Sequence, residues 1–495
     1  MKLLKLLMNL AVGTVMVTTG IAPVFVKGQT KKAALKADET KFPELINADI
    51  KGAPKLGQPS LIMGETKPAL TEGMGWAAPA FWDYNGDGKK DLLIGEFGTG
   101  AEVNRGFGNY IRIYRNVGTD KNPKFQDDFH YAYLADDEMV AYASAKEPGQ
   151  FPSHLVNYGT PLSIPQFCCM SIKPQFADLN GDGYPDLYSG RYTPGEVYWF
   201  RGSKVGFLQG EKLKQYGGAG AGKKPNNHPD DPNDWSYWAY SAVAFADFNG
   251  NGLLDMVVGG HAGLRISKNV GSKSNPEFGI RQLLLKPDGQ PVMGPGEKNN
   301  HPLIPIVVDW DQDGILDILA STAYMNKEDT AVLFFKGVKV NGEQRFEEGV
   351  SLFRAKSGDK TIPGEWLSIY VTDWNNDGVN DLLVGTKVAI LNDKFDQKIN
   401  WSWNDAKGKF DQLTVHNPGY YSVQKKNEIK QKIADAVKIE AKMGRTELLK
   451  KQATPGRFGN YAMKEDLVLY YYGGNEAYKS LIHQGRVYLM LGEKR

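Results

Sequence analysis

Cysteine is all but absent from this chain. The two present are adjacent, Cys168 and Cys169, too few to staple a fold or to build a zinc site. They fit either a strained vicinal disulfide in an oxidising compartment or two small apolar residues in a strand. Net charge is also nearly absent. The 59 lysines and arginines almost balance 57 acidic residues, leaving +2, so nothing at this level directs the chain to nucleic acid. Catalytic signatures are missing as well: there is no nucleophile elbow, phosphate loop, zinc motif or dinucleotide fingerprint.

Long apolar runs are confined to the N-terminus. Lys2 and Lys5 precede an apolar stretch from Leu6 to Ile21, then Ala22-Pro23 and a lysine-rich segment to Lys41. This reads as a signal peptide over residues 1–29 and a polar linker over 30–45; a retained membrane anchor is the other reading. No cysteine lies near residue 20, which argues against a lipid anchor. No other segment approaches the ~20 apolar residues of a span. The expected mature protein is secreted or periplasmic, with no membrane span.

What is abundant is glycine, at 56 residues, and tyrosine, at 24 of 495. Both lean towards many short strands joined by turns. The turns announce themselves. DYNGDGKKD at 83–91, DLNGDGYPD at 178–186, DFNGNGLLD at 247–255, DWDQDGILD at 309–317 and DWNNDGVND at 373–381 share one pattern, and each continues into an apolar run. Self-similarity at such intervals indicates stacked or radial repeats.

The spacing is that of a cation loop. Side-chain oxygens at positions 1, 3 and 5, a backbone carbonyl at 7 and a carboxylate at 9 can surround one hard ion, and the glycine at 6 permits the reversal. The side-chain ligands are Asp83, Asn85, Asp87 and Asp91; Asp178, Asn180, Asp182 and Asp186; Asp247, Asn249, Asn251 and Asp255; Asp309, Asp311, Asp313 and Asp317; and Asp373, Asn375, Asp377 and Asp381. The carbonyls at position 7 belong to Lys89, Tyr184, Leu253, Ile315 and Val379. With all-oxygen donors, Ca²⁺ suits them best, up to five ions. Position 12 holds Ile94, Ser189, Val258, Ala320 and Val384 rather than glutamate, so these are not EF-hands. They sit in β-hairpins. Carboxylate count predicts that the fourth loop, with four, outbinds the third, with two.

Two further patterns fit the same architecture. NVGTDKNPKF at 116–125 and NVGSKSNPEF at 269–278 follow strand-like residues and suggest a turn into an outer strand. Position 2 of every loop is bulky: Tyr84, Leu179, Phe248, Trp310 and Trp374. Such side chains are expected to wedge between neighbouring sheets.

These loops resemble the FG-GAP/VCBS calcium-binding repeats, which form propeller blades in integrin heads and in many secreted bacterial proteins. The resemblance covers about residues 77–390 and the strand GRVYLMLG at 485–492. It implies an all-β fold, a β-propeller with five loop-bearing blades and five to seven in total. Each blade would be a four-stranded sheet, the metal loop joining its first two strands. The third loop's shorter acidic set, the 95-residue first interval and a long final segment depart from the pattern. The propeller is expected over 46–422, with closing strands at 456–495. A segment near 46–66 is expected to complete the last blade. Between them, 423–455 reads as a helical insertion with an apolar stripe of Ile429, Ile433, Val437 and Ala441.

In such propellers the face opposite the metal loops receives residues before each first strand and after each second strand. Here the former are Trp76, Trp235, Trp238, His301 and Trp366, and the latter Glu96, Arg191 and His261. They could stack on sugar and orient a ligand, or simply pack the joints between blades. The expected function is a calcium-stabilised module binding polysaccharide or a cell-surface protein. The alternatives are a polysaccharide-lyase-like enzyme with His261 or His301 as base and Arg191 as charge neutraliser, and an adhesion module in an envelope assembly.

Overall fold

The computed structural model describes residues 44–71, 76–96, 110–135, 162, 171–191, 195–204, 206–215, 241–260, 263–293, 302–322, 332–356, 365–391, 397–404, 409–416 and 481–494. All lie within the compact unit Phe42–Arg495. The helical insertion expected at 423–455 falls outside them, as do Cys168, Cys169, Trp235, Trp238, His261 and His301. Among the described residues there is no helix, and so none long and apolar enough to cross a membrane.

Five antiparallel sheets recur along the chain. The first blade is Ala78–Trp82, Asp91–Gly95, Ile111–Tyr114 and His130–Tyr131. The second is Gln175–Ala177, Asp186–Gly190, Val197–Phe200 and Glu211–Lys212. The third is Ala242–Ala246, Asp255–Gly259, Arg265–Ser267 and Gln282–Leu283. The fourth is Leu303–Val308, Asp317–Thr322, Val332–Phe335 and Val350–Ser351. The fifth takes Glu365–Thr372, Asp381–Leu391 and Leu481–Met490 from the far end of the chain and Ser60–Leu61 from near its start. Each acidic loop joins the first and second strand of its blade, as Trp82 opposite Asp91 illustrates.

The core lies between blades rather than within them. Five hydrophobic clusters each straddle one pair of neighbours. Position 2 of each acidic loop supplies the wedge. Trp310 of the fourth blade is fully buried against Leu367 and Leu382 of the fifth. Trp374 of the fifth stacks on Phe81 of the first at 4.3 Å. Tyr84 faces Phe207, beside the second blade, at 6.3 Å. Leu179 packs with Val243 and Met256, and Phe248 with Leu303 and Ile318. Burying such bulky side chains accounts for much of the cohesion of each joint.

The blades also touch through backbone. In four of the five blades a glycine of the second strand abuts backbone at or just ahead of the next blade's first strand. A Cβ on Gly95 would stand 1.9 Å from the Ile172 carbonyl oxygen, on Gly190 1.4 Å from that of Ser241, and on Gly259 2.0 Å from that of Leu303. The fourth blade carries Ser321 at this place, and its hydroxyl donates to the Leu367 carbonyl at 3.1 Å. Gly385 then meets Ala77 of the first blade. The ring therefore closes at five blades, the lowest of the expected totals.

Closure is shared by the two ends of the described chain. Ser60–Leu61 and Leu70–Thr71 pair with Leu481–Met490, and Lys55–Leu56 pairs with Gly492–Glu493. Leu45–Asn47 pairs with Phe353–Ala355 beside the fourth blade. An outer edge that would otherwise be open is thereby covered.

Candidate metal centres and the opposite face

The five acidic loops share one backbone conformation. Glycine at position 6 has φ between +80° and +91° in all of them: Gly88, Gly183, Gly252, Gly314 and Gly378. Position 4 is also left-handed, filled by Gly86, Gly181 and Gly250 but by Gln312 and Asn376 in the last two. That conformation turns successive N–H groups inward. The position-1 carboxylate accepts from positions 5 and 6, as in Asp178, which takes the Asp182 N–H at 3.1 Å and the Gly183 N–H at 3.0 Å. The same pair recurs at Asp83, Asp247, Asp309 and Asp373. Position 3 asparagine oxygens take the position-5 N–H at Asn85, Asn180 and Asn249. Position 5 takes the position-7 N–H in all five loops.

Position 9 has a second task. Each of these aspartates is buried, and one oxygen accepts the N–H of the second residue past its blade's third strand. Asp91 takes Asn116, Asp186 takes Gly202, Asp255 takes Asn269, Asp317 takes Gly337 and Asp381 takes Gly492, at 2.6–2.9 Å. In the second, fourth and fifth loops the other oxygen accepts the position-2 N–H, from Leu179, Trp310 and Trp374. The ninth residue thus ties the loop to its own sheet. Burial pushes the Asp91 carboxyl up to about 7, and Asp186 and Asp317 up to about 6. Asp255 and Asp381 are raised for the same reason.

A cation fits this donor set. Buried oxygens without a hydrogen-bond partner point to one: Oδ2 of Asp91, Oδ2 of Asp255, Oδ1 of Asp311 and Oδ1 of Asn375. In the fourth loop, carboxylate oxygens of Asp309, Asp311 and Asp317 gather within 4.8 Å of one another. Closely spaced carboxylates at this depth are costly unless neutralised.

Loop geometry, wedge and closing glycine all coincide in the second and third blades, and there the sequence also matches a known family. Residues 178–258 match the FG-GAP-like repeat family. The FG-GAP repeat here spans the second loop, its blade and the third loop into its strand. Among curated proteins no match is found. Solved structures similar to this chain include the Tc holotoxin pore of Photorhabdus luminescens, at 14% identity and TM-score 0.30 over 70% of this chain. The chain spans 15% of the length of that toxin component. A lectin of Agrocybe aegerita that recognises non-reducing terminal N-acetylglucosamine is 16% identical over 78% of this chain and 83% of its own, TM-score 0.31. A GH43_1 enzyme of Xanthomonas citri is 11% identical over 66% and 84%, TM-score 0.34.

On the face opposite the metal loops, the structure brings two of the expected ligand residues together. Trp76 and Trp366 precede equivalent positions in the first and fifth blades, and their rings meet edge-on at 4.3 Å. Both have positive φ, 55° and 61°, a strained setting for so bulky a residue. Trp76 is buried, its Nε1 donating to Ser368 Oγ at 3.1 Å. Trp366 is half-buried, with the Lys387 ammonium 6.0 Å from its ring. Glu96 is wholly buried, accepting from Arg112 Nε at 2.7 Å. Arg191 pairs with Glu196 at 2.9 Å. These last two are engaged within their own blades.

Three residues of interest went unnoticed in the sequence. Lys173 stands 4.9 Å from the Trp76 ring, buried and with no hydrogen-bond partner for its ammonium among the described residues, and burial pushes its pKa down to about 7. Lys387 is the second. Lys336 is the third, and it reaches into the fourth loop. Only Lys336 had a readable signal: it precedes Gly337, whose counterparts Asn116, Gly202 and Asn269 also follow a basic residue.

Proposed function

We propose that this protein is a calcium-stabilised binding propeller of an exported compartment, with the metal loops on one face and a carbohydrate-recognition site on the other. Positions 1, 3, 5 and 9 of the loops would hold the ions, and millimolar extracellular calcium is sufficient for weak modules of this kind. Bound calcium would raise the stability of the folded state in proportion to the logarithm of its excess over Kd.

The observation that carries the ligand side is the Trp76–Trp366 pair. Two tryptophans held in the left-handed region at neighbouring joints are costly, and such strain is retained where the surroundings enforce it. Trp76, buried and hydrogen-bonded, sets the position of the pair. Trp366, half-buried with Lys387 nearby, offers a ring face and a cation, a combination that suits an acidic sugar. The test is a glycan array with wild-type and Trp366→Ala protein, in calcium and in chelator. Binding to uronate-containing glycans that disappears in both the variant and the chelator supports the reading; equal signals from wild type and variant sink it.

One observation favours catalysis as a second reading. A lysine kept close to neutrality by burial, as Lys173 is, can act as a general base. Appearance of unsaturated sugar products with wild type, but not with Lys173→Met, would make the protein a carbohydrate-active enzyme rather than a receptor.

A further inference from the structure

Two residues set the charge of the fourth loop apart from the other four, one in the loop and one outside it. At position 3 it has Asp311 where the others have Asn85, Asn180, Asn249 and Asn375. In three of those loops the asparagine side-chain amide donates to the position-5 carboxylate: Asn85 to Asp87 at 3.1 Å, Asn180 to Asp182 at 2.8 Å and Asn375 to Asp377 at 2.9 Å. Asp311 has no such hydrogen to give. The donor is instead Lys336, from the end of the third strand of the same blade, whose ammonium contacts both Asp311 and Asp313. The extra negative charge and its neutraliser occur together.

We infer that Lys336 is the resident cation of the fourth loop, so that the loop richest in carboxylates is the one that does not take calcium in the native protein. The ammonium sits between the position-3 and position-5 carboxylates, the groups an ion would have to share. A divalent ion placed there meets a positive charge at contact range and must first displace it. Lys336 is only about one-third exposed and Asp311 nearly buried, so the pair is poorly screened. The third-strand cation of the other blades is placed differently. Arg115 lies 3.8 Å from the position-5 carboxylate of Asp87, Arg201 turns to Glu211, the third blade has Lys268 there and the fifth Leu491. The order of affinity read from carboxylate count is thereby reversed for the fourth loop.

The inference rests on the proposal that the other loops bind calcium, and its test separates the two. Calcium uptake by the full chain is measured by titration calorimetry, and melting is followed in EGTA, for wild type, Lys336→Met and the double variant Asp311→Asn with Lys336→Met, which reproduces the fifth blade's combination of Asn375 and Leu491. We expect both variants to take up one more calcium ion per chain than wild type. Lys336→Met should melt several degrees lower than wild type in EGTA, and the double variant should recover most of that loss. Should Lys336→Met fail to fold, the double variant alone carries the count. Identical calcium uptake by wild type and double variant overturns the inference, as does unchanged melting of Lys336→Met in EGTA. If no protein of the set binds calcium, the wider calcium reading falls; the EGTA loss and its recovery would still identify Lys336 as the loop's counter-ion.

Discussion

Gly385 within the fifth blade's second strand lies against Ala77 at the start of the first blade, so close that a Cβ on the glycine would stand 2.0 Å from the alanine carbonyl oxygen. This contact closes the ring. The obstacle is backbone, which cannot rotate aside as a side chain can. Gly385→Ala is therefore expected to lower unfolding free energy by about 3 kcal/mol or more, the range of forced overpacking and backbone displacement. Urea unfolding measures it. A loss below about 1 kcal/mol would mean that the joint is looser than the structure has it.

The two tryptophans of the opposite face should separate stability from recognition. Trp76 is 1% exposed and hydrogen-bonded, so Trp76→Ala should cost about 3–5 kcal/mol. Trp366→Ala, at a half-buried ring, should cost clearly less while abolishing glycan binding. Similar melting temperatures for the two variants would contradict the division of labour.

Lys173 makes stability depend on pH in a defined direction. Its folded pKa is about 7 against an ordinary value of 10.5. Between these values the unfolded chain binds the extra proton, so stability rises with pH across that window. Below pH 7 both states are protonated and the cost of the buried charge is fully present. Lys173→Met should accordingly raise the melting temperature most near pH 6, with the difference shrinking towards pH 10. A constant difference across the range would show that the ammonium is solvated.

Removing a loop carboxylate should matter where no tethered cation competes. The fifth blade has Leu491 at the place where the fourth has Lys336. Asp377→Ala should therefore lose more of the calcium-induced rise in melting temperature than Asp313→Ala, measured as the difference between calcium and EGTA scans. The reverse order would restore the ranking expected from charge count.

Much of this protein was legible without coordinates because the signals are local. Asp, Asn and Gly at fixed offsets dictate a left-handed reversal with inward amides, and an apolar run after it dictates a buried strand. That reasoning predicts five loops, their hairpins and the wedge residues at position 2, and Trp310 and Trp374 are indeed packed between blades. What the tertiary structure decided involves residues far apart in the chain. The ring stops at five blades because Gly385 reaches Ala77; Glu96 is spent on Arg112; Trp76 is buried by Trp366 and Ser368; and Lys336 arrives in an acidic loop from a strand away. Backbone sterics act over a few residues and can be read from spacing. Burial and charge neutralisation depend on which distant segments meet, and only the closed ring brings them together.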